Sequence, residues 1–161
     1  MKTYLSFIIF FNLFAFLPIL GQAESITIID SSLKNFESDG CTMFIDGPPS
    51  KPGLWRHCCL EHDMRYWFGG DHSDMDQTDL RLHACVQDIA GQKWADLIYL
   101  GVRVGHNSPI KNKSHWSWGW ITPRADIKLD KDEKIYIIEE VLQLPYDNKF
   151  LEKFIKLNLN N

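Results

Sequence analysis

The stretch Cys58-Cys59-Leu60-Glu61-His62-Asp63-Met64-Arg65-Tyr66 constrains this chain more than any other. Two adjacent cysteines can tie one helix to two different partners. On a helix, positions three and four apart share a face, so Cys58, His62 and Tyr66 form one stripe and Cys59 and Asp63 the stripe beside it. A titratable imidazole between covalent anchors is a rigid place on which to build a site. Positions 54, 55, 58, 59, 62 and 66 keep helical spacing. With Ser50 as cap, Pro52 in the first turn and Gly69-Gly70 as the stop, they predict a helix over 52–68.

Residues 1–23 read as a secretory signal: Lys2, an apolar run from Tyr4 to Leu20, then Gly21-Gln22-Ala23 with small residues where a signal peptidase cuts. The run is short for a membrane span and is broken by Asn12 and Pro18. Nothing later could cross a bilayer, so no transmembrane segment is expected after signal removal. A secreted or periplasmic location follows, with residues 24–161 forming one domain. All four cysteines (Cys41, Cys58, Cys59, Cys85) lie in that part, and an even count in an exported chain reads as two disulfides. Zinc held by Cys58, Cys59, Cys85 and a histidine is the competing reading; the adjacent doublet and export favour disulfides. The net charge is −4, and it becomes more negative once Lys2 is removed, which argues against nucleic acid as a partner.

A β-branched run, Ile26 to Ile29, predicts a short strand or extended arm. The segment Asp39 to Pro49 reads as a loop by its Gly, Pro and Asp content. After the first helix, Asp71 to Met75 is a short polar turn. A second helix then begins, capped by Ser73 or Asp76, with Leu80, Leu82, Val86, Ile89 and Ala90 on its apolar face. Gly91 marks a possible break before the pattern resumes at Trp94 and ends at Gly101. So short a connection makes the two helices antiparallel. If Cys58 is bonded to Cys85 across that hairpin, His62 lies about 6 Å along its helix from the crosslink. Asp79 then sits about 9 Å along the neighbour, within side-chain reach, while Asp76 is further and Asp88 lies on the wrong side.

The run Cys-Cys-x-x-His-Asp-x-x-Tyr resembles the catalytic helix of the secreted, calcium-dependent phospholipase A2 superfamily, and Asp79 matches the family aspartate that supports the catalytic histidine. The resemblance covers about residues 39–90, in the style of a compact bacterial member. It implies disulfides Cys41–Cys59 and Cys58–Cys85. It also implies a mainly α fold: two antiparallel disulfide-linked helices, a loop before them, and a small mixed C-terminal part. In domain terms the core would be 39–101 and the C-terminal extension 121–161. The implied activity is calcium-dependent hydrolysis of the sn-2 acyl ester of glycerophospholipids at a membrane or micelle interface. His62 would be general base on water, Asp79 would orient it, Tyr66 would hydrogen-bond Asp79, and calcium would be held by Asp63 and carbonyls of Gly40, Thr42 and Phe44. The alternative is a non-catalytic secreted lipid- or protein-binding module on the same scaffold. Two departures stand out. The family's calcium loop is glycine-rich, whereas Thr42, Met43, Phe44 and Ile45 follow Cys41; Arg65 and Thr78 stand where the family has a disulfide pair.

Trp116, Trp118 and Trp120 alternate with Ser117 and Gly119, which places three indoles on one face of an extended segment. Packing of that face on the second helix as core is favoured over insertion into lipid, because three exposed indoles invite aggregation. Ile135, Ile138, Val141 and Leu142 fit a helical face. After Pro145, Asp147 caps a last helix with Phe150, Leu151, Phe154 and Ile155 on one side. That helix, with its lysines on the other side, is expected to dock on its own domain rather than on a membrane. The remaining histidines (His57, His72, His83, His106, His115) show no ligand spacing.

Overall fold

A computed structural model describes residues 32–42, 44–106 and 115–160. The predicted signal, the 26–29 strand or arm, Met43 and residues 107–114 lie outside those residues. Among the described residues there are five helices and no strand: α1 Arg56–Phe68, α2 His72–Ala90, α3 Gln92–His106, α4 Lys131–Leu142 and α5 Asn148–Asn158. The C-terminal part is therefore helical rather than mixed; its one β-type pairing among those residues is an isolated bridge between Leu33 and Trp120.

Helix α1 begins four residues later than expected. Residues 51–55 are turns, and Trp55 occupies the N-cap with no side-chain hydrogen bond to the helix it starts. Trp55 is instead fixed from behind: its backbone N–H donates to Asp46 O and its indole N–H to Ile45 O, at 2.9 and 2.7 Å. The α1–α2 corner is tighter than the predicted polar turn. Asp71 caps α2, with Asp74 closing a reciprocal capping box, so only residues 69–71 separate the helices. This works because Gly69 and Gly70 both have positive φ, at 70° and 156°. The Arg65 guanidinium bonds the Gly69 carbonyl and pairs with Asp74 (3.2 Å), pinning the corner.

Gly91, at φ 86°, is more than a break. It ends α2 and sends α3 back alongside it, as the His83–Asp96 (2.8 Å) and Arg103–Asp76 (2.5 Å) pairs record. Helix α3 also runs on past Gly101 to His106.

The tryptophan segment is a run of turns, not an extended strand, and Ser117 adopts φ 62°. Two of its indoles are core and Trp118 is partly buried, but they pack around the end of α1: Trp116 meets Tyr66 and Met75, and Trp120 joins Met64, Trp67 and Phe68. The last carbonyls of a helix have no partner within it. Here Tyr66 O and Trp67 O accept the N–H groups of Ser117 and Gly119 (both 2.8 Å), and Phe68 O accepts the Trp120 indole N–H (2.8 Å). The 115–120 segment is thus the C-terminal cap of α1.

Two apolar clusters flank α1. One joins Trp55, Cys58 and Cys59 to Leu82, Val86, Ala95 and Ile98 of α2 and α3. The other joins Met64, Trp67 and Phe68 to α4 and α5. In α4 the buried stripe is Ile137 and Val141, while Ile135 and Leu142 are about half exposed (48% and 49%), so the predicted face is rotated. In α5, Leu151, Phe154 and Ile155 are buried as expected, and the helix docks on the protein itself.

Candidate active site

Four cysteines form two disulfides, Cys41–Cys59 and Cys58–Cys85, with Cα separations of 5.1 and 5.9 Å. The first ties the preceding loop to α1, and the second ties α1 to α2. Together with the Arg65–Asp74 pair they hold two antiparallel helices at both ends of a short stretch, and His62 lies in its middle.

His62 and Asp79 are buried at 8% and 0% exposure, and His62 Nε2 lies 3.0 Å from Asp79 Oδ1. An ionised carboxylate only accepts, so Nε2 carries the proton and Nδ1 keeps a lone pair. Nδ1 is on the side of Asp63, whose Oδ1 is 3.9 Å away. The Tyr66 hydroxyl donates to the same Asp79 oxygen at 2.7 Å, and its ring stacks on His62 with centroids 4.2 Å apart. A cavity of about 40 Å³ borders His62, Cys58, Thr78 and Leu82, enough for a water molecule.

Burial alone would push His62 toward the neutral form. Hydrogen bonds and charge from Asp63 and Asp79 outweigh it, and the imidazole pKa lies above its ordinary 6.5. Asp79 shows the mirror case. Burial works to raise it, but hydrogen bonds from His62 and Tyr66 hold it below its ordinary value. The Tyr66 hydroxyl, buried beside that carboxylate, is pushed up and stays protonated.

Asp63 faces the loop. Its Oδ2 accepts from the Ser38 hydroxyl at 2.5 Å, and that hydroxyl accepts the Gly40 N–H at 3.1 Å. Gly40 is therefore brought to Asp63 through Ser38. The Thr42 hydroxyl is engaged with Asp39 (2.8 Å), and Phe44 turns its ring against Trp94. Asp46 organises the loop from the other side: it accepts the Cys41 N–H (2.8 Å), pairs with Arg56 (2.6 Å) and packs against the Cα of Gly40. The Asp63 carboxylate, 20% exposed, and the Ser38 hydroxyl bonded to it are hard oxygen donors of the kind that suit calcium. With one carboxylate in the set, the fit is to a weakly held ion. Among the described residues, three His, Cys or acidic ligand atoms converge only at His57, Cys58 and Cys85, where both sulfurs are already spent in the disulfide.

Scanned against protein-family models, curated proteins and solved structures, the chain matches none.

The reading of the site therefore rests on its geometry, and that geometry includes a residue the sequence did not single out. Arg103, on α3, reaches Asp79 Oδ2 at 3.1 Å and Asp76 Oδ1 at 2.5 Å. Both oxygens of the buried carboxylate are thus engaged. The only sequence signal was faint: Arg103 continues the stripe of Asp96 and Tyr99, and it becomes relevant only once Gly91 turns α3 back. Ser38 was likewise missed, since nothing in its local sequence marks it as the link between Asp63 and the loop.

Proposed function

We propose that this chain is a secreted or periplasmic esterase of the phospholipase A2 type, hydrolysing the sn-2 acyl ester of glycerophospholipids. The observation that carries the reading is the orientation of His62. Its Nε2 is held by a buried carboxylate with three donors, while its Nδ1 points to the side of Asp63 and the tethered loop. A neutral imidazole so held can take a proton from water at Nδ1, and Asp79 stabilises the imidazolium that results. Tyr66 and Arg103 keep Asp79 ionised and fixed. Calcium bound by Asp63 and the loop carbonyls would supply electrophilic assistance to the ester carbonyl. Two disulfides fit an oxidising compartment. Among the described residues no helix is long and apolar enough to cross a membrane, and the substrate would be met at a lipid surface.

The test is release of fatty acid from phosphatidylcholine micelles with calcium or with EGTA, comparing wild type and His62→Ala. Calcium-dependent release that His62→Ala abolishes supports the reading. Equal release in excess chelator would refute the metal-assisted route. The Ser38 hydroxyl already bonded to Asp63 favours a second reading, a non-catalytic lipid- or protein-binding module. Calcium binding with no hydrolysis of any phospholipid ester would select it.

A further inference from the structure

A pocket of about 220 Å³ opens where α1 and α2 meet the C-terminal part, and Arg65, Arg81, Lys128, Lys134, Asp74 and Asn158 stand in its wall. Four cations and one acid thus face a single concave space in a chain whose net charge is −4. The acid is already committed: Asp74 pairs with Arg65 (3.2 Å) and accepts the Asp71 N–H (3.1 Å). Arg81 contacts only neutral oxygens, Leu157 O at 3.2 Å and Asn158 Oδ1 at 2.6 Å. The two arginines are close enough to repel. Burial, with a smaller push from Arg81, brings the Arg65 pKa down to about 10 despite Asp74. Arg81 and Lys128, of like charge and drawn from separate segments, face this one cavity, where an anion between them relieves their repulsion.

We propose that this pocket binds a phosphoryl oxyanion, carried by inorganic phosphate or by a phosphomonoester headgroup. The volume is several times the roughly 30 Å³ share of a water molecule, so a tetrahedral anion fits with part of its hydration. The Arg81 guanidinium presents a planar fork suited to two phosphoryl oxygens, and the two lysines act as point charges at the mouth. Because Arg65 and Arg81 belong to α1 and α2 while Lys128 and Lys134 belong to the segment before α4 and to α4, a bound anion bridges the hairpin to the C-terminal part. The pocket shares Arg65, Thr78 and Arg81 with the small cavity beside His62, but anion binding there needs no catalysis by His62.

Calorimetric titration of the full chain with inorganic phosphate, in calcium-free buffer at constant ionic strength with chloride as control, tests this. One equivalent should bind, and Arg81→Gln should weaken it by about tenfold or more, the loss expected for charge-assisted hydrogen bonds. Arg81 also holds the end of α5, so the pair Lys128→Gln/Lys134→Gln, an exposed and a half-buried lysine, is the second variant, and it should weaken binding comparably. Vesicles of phosphatidylcholine with and without phosphatidic acid form the second arm. Binding of inorganic phosphate alone identifies a free-anion site; added, variant-sensitive binding to phosphatidic acid identifies a headgroup site. Phosphate binding no stronger than chloride, or equal in wild type and both variants, overturns the proposal.

Discussion

Asp79 is fully buried, yet its two oxygens collect an imidazole, a phenol and a guanidinium. Removing its charge should therefore act on His62 directly. Asp79→Asn should lower the His62 pKa, whereas Arg103→Gln, which takes away a nearby positive charge, should raise it further. NMR titration of the imidazole in the calcium-free chain reads both, and shifts of the same sign would refute the arrangement. The wild-type midpoint itself should lie above 6.5, because Asp63 and Asp79 outweigh burial. A base works in its neutral form, so the rate should climb with pH through that raised midpoint. Asp79→Asn should cut hydrolysis on the order of 10²-fold or more by leaving the imidazolium unsupported. For stability the signs differ. The raised pKa of His62 gives stability that is present below 6.5 and lost as pH rises through the folded value. The lowered pKa of Asp79 gives stability that is present above 3.8 and lost as pH falls through its folded value. Asp79→Asn should flatten the acid limb of a denaturation series. His62, Asp79 and Tyr66 were legible in the sequence because helical spacing and one antiparallel register place all three. Arg103 was not, since its role depends on a chain reversal that a single glycine leaves undecided.

At the scale of elements, the end of α1 depends on a contact between residues distant in sequence. Ser117 sits at φ 62°, its buried hydroxyl has no hydrogen-bond partner, and it lies where a side chain on Gly69 would be. A left-handed non-glycine costs about 1–2 kcal/mol, and an unpaired buried hydroxyl about 1–3 kcal/mol. Ser117→Gly gives back part of that gain as chain entropy, about 0.5–1 kcal/mol. It should stabilise by about 1 kcal/mol in urea unfolding. Gly69→Ala should cost about 2–4 kcal/mol, from its positive φ and from collision with Ser117. The double variant should recover more than the sum of the two, since the collision partner is gone. Strict additivity would refute the contact. The same contact explains why the tryptophan segment misled: alternation of large and small residues is a strand signal, but here the backbone turns so that its N–H groups reach the carbonyls of α1. The α4 face was misjudged for a similar reason. Ile135, Ile137 and Ile138 are equivalent by composition, and only the position of α5 and Trp120 decides that Ile137 turns inward.

Over the whole molecule, α1 lies between two apolar clusters, and the loop before it is fastened by Cys41–Cys59, Ser38 and Asp46. The helical pair was legible because its apolar pattern and short connection leave few arrangements, and its crosslinks, Cys41–Cys59 and Cys58–Cys85, are those the family resemblance implied. The loop was not legible, because its shape comes from side chains that hold backbone groups. Asp46 shows this. By sequence it is one more acid near the proposed calcium ligands, but its carboxylate accepts the Cys41 N–H, pairs with Arg56 and fills the space beside Gly40. The two acids should therefore fail in different ways. Asp63→Asn removes the one carboxylate of the proposed calcium ligands, so calcium binding and hydrolysis should both vanish while thermal stability barely changes. Asp46→Asn keeps the ligand but weakens its frame, so calcium affinity should fall by severalfold and the unfolding midpoint should drop with it. Wild-type affinity should lie in the ~0.1–1 mM range of extracellular sites with few charged ligands. Reduction of both disulfides frees the loop from α1 and removes ~2–4 kcal/mol per bond, so it should abolish calcium binding before the helices are lost. Calcium titrations of the three proteins and of the reduced chain, followed by heat of binding and by circular dichroism, separate these outcomes. Unchanged calcium binding in Asp63→Asn would place the ion elsewhere and end the phospholipase reading of the loop.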